Sequence, residues 1–535
     1  MALIYAHRQS ETVDRDAVDE LDSQLKLSRK AAGDKALYYA AMFLWLMGRS
    51  DKAKDYIDRM LKMTSSSKEG LILKGWIELS SESNQNRNKA IRYFDNGLEN
   101  SKSVFGLMGK VTYFMGKQNF SGALEVVNQM IAFQPDFVPA LTLKMNLFLA
   151  QQDWEQTLDA ASRYLKQDGH HLKALQIMVV HAIAKDGDLI KCGNNTEILQ
   201  TLCQFGERAF AKAPADADIA NEIGYLHVLQ NKIKEAVRWY SNGIKLDGTS
   251  MPALAGMIHC QLLQGQLEEA AQQLEFLSEI QQSIGQSAVT HHSMSIMCSK
   301  NKEVALLQAM LACKSGAGQE VVGTLLKEAA ELHFSAIQGL PLGVKYFEKL
   351  NPAFLFEVVK THLAVCQPRA LGQPLSFGLM HSAMILEPVV KTAPSCLPGA
   401  YLMAKVKFLS GDLMSAQNFI MRCLELDPTV ADIHLLQAHI YLSLEDFKKC
   451  LQSLETGVSH NFQVREQPLY HLIKARALKN MGDLPEAIRT LNMVMSLPGL
   501  KRETRGKEAS ISNSDRVSAY LELCTDYMEL DYGLV

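Results

Sequence analysis

The chain has 535 residues, 47% of them apolar and only 15 of them proline, which supplies a large core and favours helix over strand. A formal net charge of −3 carries neither the basic bias of a nucleic-acid binder nor the character of a polyacidic tail. Ten cysteines without a C-x-x-C pair read as buried free thiols of a reducing compartment, no apolar run approaches the roughly 18 residues that span a bilayer, and Met1 to Arg8 lacks the pattern of a signal peptide.

Residues 1–33 are atypical, with Leu3 to Ala6 resembling the end of a helix and Val18, Leu21, Leu25 and Leu27 the apolar positions of a charged one. They read either as a terminal cap or as a truncated preceding repeat. From Asp34 a repeat begins, and 34–171 reads as a regular array. Ala53, the pair Gly75 and Ala90, and Ala123 mark its successive helical hairpins, with Pro135 closing a helix cleanly. A stretch around Gly187 to Asn195 interrupts the period, so 172–216 is expected to be one repeat with a long loop between helices.

The tandem pair at 217–284 is the most regular part. Gly224 is followed by Ala236 and Tyr240, and Ala270 stands 34 residues after Ala236, each alanine preceded by a polar turn and an acidic residue. That is the period of a tetratricopeptide (TPR) helix-turn-helix repeat, in which small residues stand where two helices cross. Gly224 is therefore expected to face Ala236, with Tyr240 filling the gap beside them.

Between 285 and 396 the signal weakens to degenerate helical repeats, with helices expected over Lys302 to Cys313, Glu320 to Ile337, Pro352 to Cys366 and Phe377 to Thr392. The array resumes over 397–500 with Ala404 and Ala416, then Ala438, then Ala475 and Ala487. A polar loop at 501–515 precedes an unpaired terminal helix and tail at 516–535. Together these elements predict an all-α, right-handed TPR superhelix, an α-solenoid of about twelve helix-turn-helix repeats, some of them degenerate.

Catalytic and metal chemistry find no motif. None of the 15 histidines lies in an H-E-x-x-H setting, and the adjacent pairs His170-His171 and His291-His292 read as turn or terminus residues. Gly316-Ala-Gly318 lacks the third glycine and the preceding strand of a dinucleotide loop, and no G-x-S-x-G stretch occurs. No catalytic residue, cofactor or metal is expected, and no nucleic-acid partner. The remaining candidate is the concave groove lined by first helices. Its register places Phe105, Met108 and Met115 inward, then Asn146, Tyr225 and His259, and later Tyr401, Lys405, Phe408, His439 and Arg476. These inner positions lack the lysine and asparagine clamp with which chaperone-binding TPR domains hold a C-terminal carboxylate. A mixed, largely apolar groove suits a protein segment instead.

Several strings go beyond the generic repeat. Lys35-Ala-Leu-Tyr-Tyr39, Tyr56-Ile-Asp-Arg-Met60, Gln273 to Gly285, Leu340-Pro-Leu-Gly343, Tyr346 to Pro352, Leu409-Ser-Gly-Asp412 and Pro468 to Ala475 resemble the N-terminal half of the tetratricopeptide repeat protein 21 family. That family is the large TPR subunit of intraflagellar transport complex A. The resemblance implies a non-enzymatic scaffold in retrograde transport along cilia and flagella, located in the cytoplasm, at the ciliary base and on the axoneme. The implied partners are the other subunits of that complex, with ciliary cargo or adaptors. Family members start earlier and continue further, so the resemblance implies a short isoform or fragment. The alternative is a cytosolic TPR adaptor or co-chaperone that binds peptide segments.

Overall fold

A computed structural model describes residues 19–21, 23–24, 33–81, 83–99, 102–167, 169–186, 195–290, 301–366, 374–496 and 513–532. Most of the atypical N-terminal segment lies outside this set, as do Gly187 to Asn194, His291-His292, Cys192 and nearly all of the polar loop after 500. Among the described residues every regular element is helical. The chain divides into two compact units, residues 1–178 with 340–346, and residues 179–339 with 347–535.

The first unit contains four hairpins. They are α1 (Asp34–Leu46) with α2 (Ser50–Met63), α3 (Lys68–Leu79) with α4 (Asn84–Leu98), α5 (Val104–Gly116) with α6 (Phe120–Phe133), and α7 (Val138–Ala150) with α8 (Trp154–Gln167). α9 (Leu172–His181) follows, and its Ala174 and Ile177 join Met145, Ala161 and Tyr164 in a shared core. No single hairpin buries its own apolar face. Leu73 and Ile77 of α3 complete the core begun by Leu37, Ala41, Ile57 and Met60 on α1 and α2.

The second unit begins at Val179, within α9, and continues with a π-helical turn at Ala182–Asp186 and α10 (Asn195–Lys212). The α-helical hydrogen bonding of α9 therefore ends at His181. The wider turn presents two carbonyls to one residue far along the chain: the Ser395 amide donates to the Ala184 oxygen at 3.2 Å, and its hydroxyl to the Ile183 oxygen at 3.0 Å. Then come α11 (Ala217–Leu229), α12 (Ile233–Leu246), α13 (Met251–Gln264), α14 (Leu267–Thr290), α15 (Lys302–Lys314) and α16 (Gln319–Ser335). A short α17 (Val344–Leu350), absent from the sequence reading and belonging to this unit from Phe347 on, leads into α18 (Pro352–Val365) and α19 (Phe377–Thr392). The weak stretch is thus two hairpins, α15 with α16 and α18 with α19. Three more hairpins follow: α20 (Leu397–Leu409) with α21 (Leu413–Leu426), α22 (Ala431–Ser443) with α23 (Phe447–His460), and α24 (Pro468–Asn480) with α25 (Leu484–Ser496). The last helix is α26 (Asn513–Tyr532). Within this unit the first helices α11, α13, α15, α18, α20, α22, α24 and α26 each pack on the next.

Local chemistry explains where helices start and stop. Side chains of Ser67, Ser103, Asn119, Asp216, Asn301, Ser376, Asp412 and Asp446 accept backbone N–H groups of the first turn that have no intrahelical partner. Nine hairpin turns carry a left-handed residue, a glycine at 48, 265, 316, 411 and 482 and Gln118, Gln152, Asn231 or Glu445 in the other four. That conformation aims the last carbonyls of the first helix at the turn, as when Arg49 N–H donates to the Leu44 oxygen at 2.9 Å.

Close helix approach rests on glycine. The ring of Tyr240 fills the space beside Gly224, where an added Cβ would stand 3.0 Å from it. The same ring also fills the space beside Gly256 of the next first helix, where a Cβ would overlap it outright. Phe94 lies in the same way between Gly75 and Gly109. One aromatic on a second helix is thus seated between glycines on the two first helices that flank it.

Candidate binding cleft

The first-helix layer of the second unit contains a cleft of about 830 Å³. Tyr225 and Val228 of α11 and Ala255 and His259 of α13 form one side. Leu306, Leu307 and Met310 of α15 form the floor with Phe354 and Phe356 of α18. Asn351, in a left-handed conformation, caps α18 by accepting the Phe354 N–H, and Pro352 starts the helix beside the cleft. Leu306, Leu307, Met310, Phe354 and Phe356 are buried, so an apolar surface lies beneath the opening.

The polar groups are mostly acidic. Glu222, Glu303, Glu348 and Glu357 line the cleft against a single lysine, Lys360, which pairs with Glu357 at 2.8 Å. Burial, with Glu222 and Glu357 adding to it, pushes the Tyr225 phenol above its ordinary range. The His259 imidazole is pushed down, chiefly by burial; Glu357 opposes the shift and Lys360 and Lys314 reinforce it. A neutral ring results. Its Nε2 is buried and, among the described residues, has no hydrogen-bond partner. Asn221 donates from Nδ2 to the Ser250 hydroxyl at 3.1 Å, while its Oδ1 is likewise buried without a partner. His259, a lining residue, thus carries a polar atom with capacity to spare, whereas the Asn221 oxygen packs against Gly243 of α12.

One end of α18 is tied down by a buried histidine. His333 on α16 receives the Lys302 ammonium at Nδ1 (3.1 Å) and donates from Nε2 to the Leu350 carbonyl (3.0 Å), while its ring stacks on Phe354 at 5.1 Å. Burial first, then Lys302, pushes it down to about 4, with the Leu350 hydrogen bond opposing. It is therefore neutral with its proton on Nε2.

The other groove residues lie elsewhere. Phe105 stacks on Trp76 at 5.4 Å, with Trp45 edge-on at 6.2 Å. Met108 and Met115 pack on the core of α5, α6 and α7, and Asn146 is half-buried on α7. Tyr401 packs on the core of α20, α21 and α22, and burial raises its phenol. Lys405 is exposed, and Phe408 meets the His439 ring at 4.6 Å. Arg476 pairs with Glu522 of α26, beside Lys479 with Asp526 at 2.7 Å, so its charge is engaged in docking the last helix. Of the proposed groove residues the cleft brings together Tyr225 and His259. Its remaining wall comes from α15 and α18, expected as helices but not assigned to the groove, because the repeat register that places first helices is weak there.

The marker residues of the repeat occupy the helix crossings. Ala53, Ala90, Ala123, Ala236, Ala270, Ala404, Ala416, Ala438 and Ala487 are fully buried and Ala475 nearly so, and Gly75 and Gly224 are buried against aromatic rings. The cysteines Cys203, Cys260, Cys423 and Cys450 are buried and free, and burial raises the Cys260 thiol to about 11 and the Cys423 and Cys450 thiols to about 12. Among the described residues no group of three or more His, Cys, Asp or Glu side chains is placed to hold a metal ion, and no helix is long and apolar enough to cross a membrane.

Stacked two-helix hairpins with an open cleft in the first-helix layer define a helical-repeat protein of the α-solenoid class. Residues 1–158 match the Tetratricopeptide repeat protein 21 N-terminal ARM repeat, residues 189–445 that protein's second ARM domain, and residues 462–532 its ARM repeat. The chain is 48% identical to Tetratricopeptide repeat protein 21B of Xenopus laevis and 47% identical to human Tetratricopeptide repeat protein 21A, in each case over 98% of this chain and 42% of that protein. It belongs to the tetratricopeptide repeat protein 21 family, and spans about two fifths of the length of these relatives. Among solved structures, Cut9 from the APC/C hetero-tetramer Cut9-Hcn1 is 12% identical with a TM-score of 0.37, covering 87% of this chain and 95% of its own. Yeast Tom70 is 11% identical with a TM-score of 0.32, covering 87% and 96%.

Proposed function

We propose that this chain is part of a non-enzymatic protein–protein interaction scaffold of intraflagellar transport complex A. In that role it acts in retrograde intraciliary transport, in organisation of the cilium or flagellum, and in the localisation of proteins to cilia. The observation that carries the reading is family membership across 98% of the chain. A stack of hairpins whose small residues are spent on packing, and whose first helices present a long mixed surface, supports it. In this reading its partners are other subunits of the complex, together with ciliary cargo or adaptors. Its location is the cytoplasm, the ciliary base and the axoneme.

The test is affinity purification of the tagged chain from ciliated cells, followed by mass spectrometry. Recovery of other subunits of the complex is expected. A purification that contains none of them overturns the assignment for this chain.

A further inference from the structure

We infer that the cleft between α11, α13, α15 and α18 docks a basic, amphipathic segment of a partner protein, with apolar side chains on Phe354 and Leu306 and an arginine or lysine among the glutamates. This deepens the scaffold reading and rests on it, because it assigns the kind of segment that one surface of the scaffold takes.

Charge and shape argue for this occupant together. Four carboxylates line the cleft against one lining lysine, Lys360, which pairs with Glu357; Lys302, over the Phe354 ring at 5.1 Å, adds one more positive charge near Glu303, so the carboxylates remain in excess. Among the described residues Glu222, Glu303 and Glu348 form no ion pair, although the chain as a whole is nearly neutral, at −3. An unbalanced acidic rim over an apolar floor is unfavourable for an acidic segment and complementary to a basic one. At the cleft, His259 Nε2 is buried without a partner among the described residues. Leaving such an atom unpaired is costly, and a guanidinium or ammonium supplies only donors, which suits a neutral imidazole acceptor. The wall is built from successive first helices, a surface that repeat proteins offer to an extended or helical chain. One lining residue, Tyr240, is already held between Gly224 and Gly256, so that part of the surface is formed before any segment docks.

The experiment uses the full chain and a fluorescein-labelled helical peptide of roughly 18 residues, leucine on one face and arginine on the other, with a glutamate-for-arginine counterpart. Fluorescence anisotropy is expected to show saturable binding of the arginine peptide and none of the glutamate peptide. The double variant Glu303→Lys with Glu357→Lys is expected to weaken binding at least about tenfold, whereas Glu466→Lys, on an exposed turn outside the cleft, changes it less than about twofold. Equal binding of the two peptides, or equal loss in the cleft and control variants, overturns the proposal. A photoactivatable leucine in the peptide provides a readout on the unaltered chain: cross-links to α11, α13, α15 or α18 support the docking site, and cross-links confined to other helices refute it. If the unaltered chain recovers its subunits from cells yet fails to bind the peptide, the cleft assignment alone fails. If it binds the peptide but recovers no subunit, the scaffold assignment within that complex fails.

Discussion

Tyr240 and Phe94 show how single residues set the spacing of the array. Each ring occupies room that exists only because glycine stands on the first helix before it and on the first helix after it. Gly256→Ala and Gly109→Ala place a Cβ inside that ring, and overpacking of this kind costs about 1–3 kcal/mol. Gly116→Ala is the control: nothing lies within 4 Å of its Cβ position, so the gain in helix propensity stands alone, at about 0.5–1 kcal/mol. Urea midpoints followed by circular dichroism are expected to fall for the first two variants and to hold or rise for the third. Unchanged midpoints in Gly256→Ala would mean that the ring moves aside without cost. From sequence, Tyr240 is expected beside Gly224, but its reach to Gly256 is not. Period locates a residue along a helix, whereas the size of a side chain decides how far across the gap it reaches.

At the scale of elements, the hairpins of the weak stretch are fastened by buried neutral histidines. His333 joins α15, α16 and α17 through Lys302 and the Leu350 carbonyl, and stacks on Phe354 of α18. His362 on α18 shares a 3.0 Å hydrogen bond with His381 on α19, and burial together with His381 pushes it down to about 4. In the unfolded chain both rings protonate near 6.5, while the folded rings resist until about 4. The unfolded state therefore takes up protons first. Their contribution is fully present above pH 6.5 and is lost as pH falls from there towards 4, by on the order of 3 kcal/mol for each ring. Urea midpoints measured at steps across this window are expected to fall steadily, with a shallower slope in His333→Phe, which keeps a ring against Phe354 but cannot titrate. An identical slope in the variant would show that His333 does not contribute. These two contacts lie 19 and 31 residues apart in sequence, in a region without clear period, and could not be anticipated from it.

For the molecule as a whole, the decisive property is that helices pack almost entirely on sequence neighbours. Stability then behaves as a sum of repeat and interface terms. Gly109→Ala is accordingly expected to speed amide hydrogen exchange in α3 to α6 while leaving α20 to α25 unchanged. Uniform acceleration along the chain would contradict nearest-neighbour behaviour. The last helix fits the same scheme: α26 adds Ala519 to the core of α24 and α25, and sets Glu522 and Asp526 against Arg476 and Lys479. Read from sequence it had no partner helix, because the period expects a second helix after it and the polar loop before it hides its contact with α24.

Helix type, period and family were determined by the sequence itself. Small residues every 34 positions, polar turns and family strings such as Tyr346 to Pro352 are local features, and local backbone preference plus hydrophobic spacing suffices to read them. The cleft was decided only by tertiary structure. Its residues come from α11, α13, α15, α17 and α18, brought side by side because the first helices stack through the degenerate stretch as they do elsewhere. Whether a glutamate on one helix stands near an unpartnered imidazole on another depends on that stacking, and no periodicity along the chain encodes it.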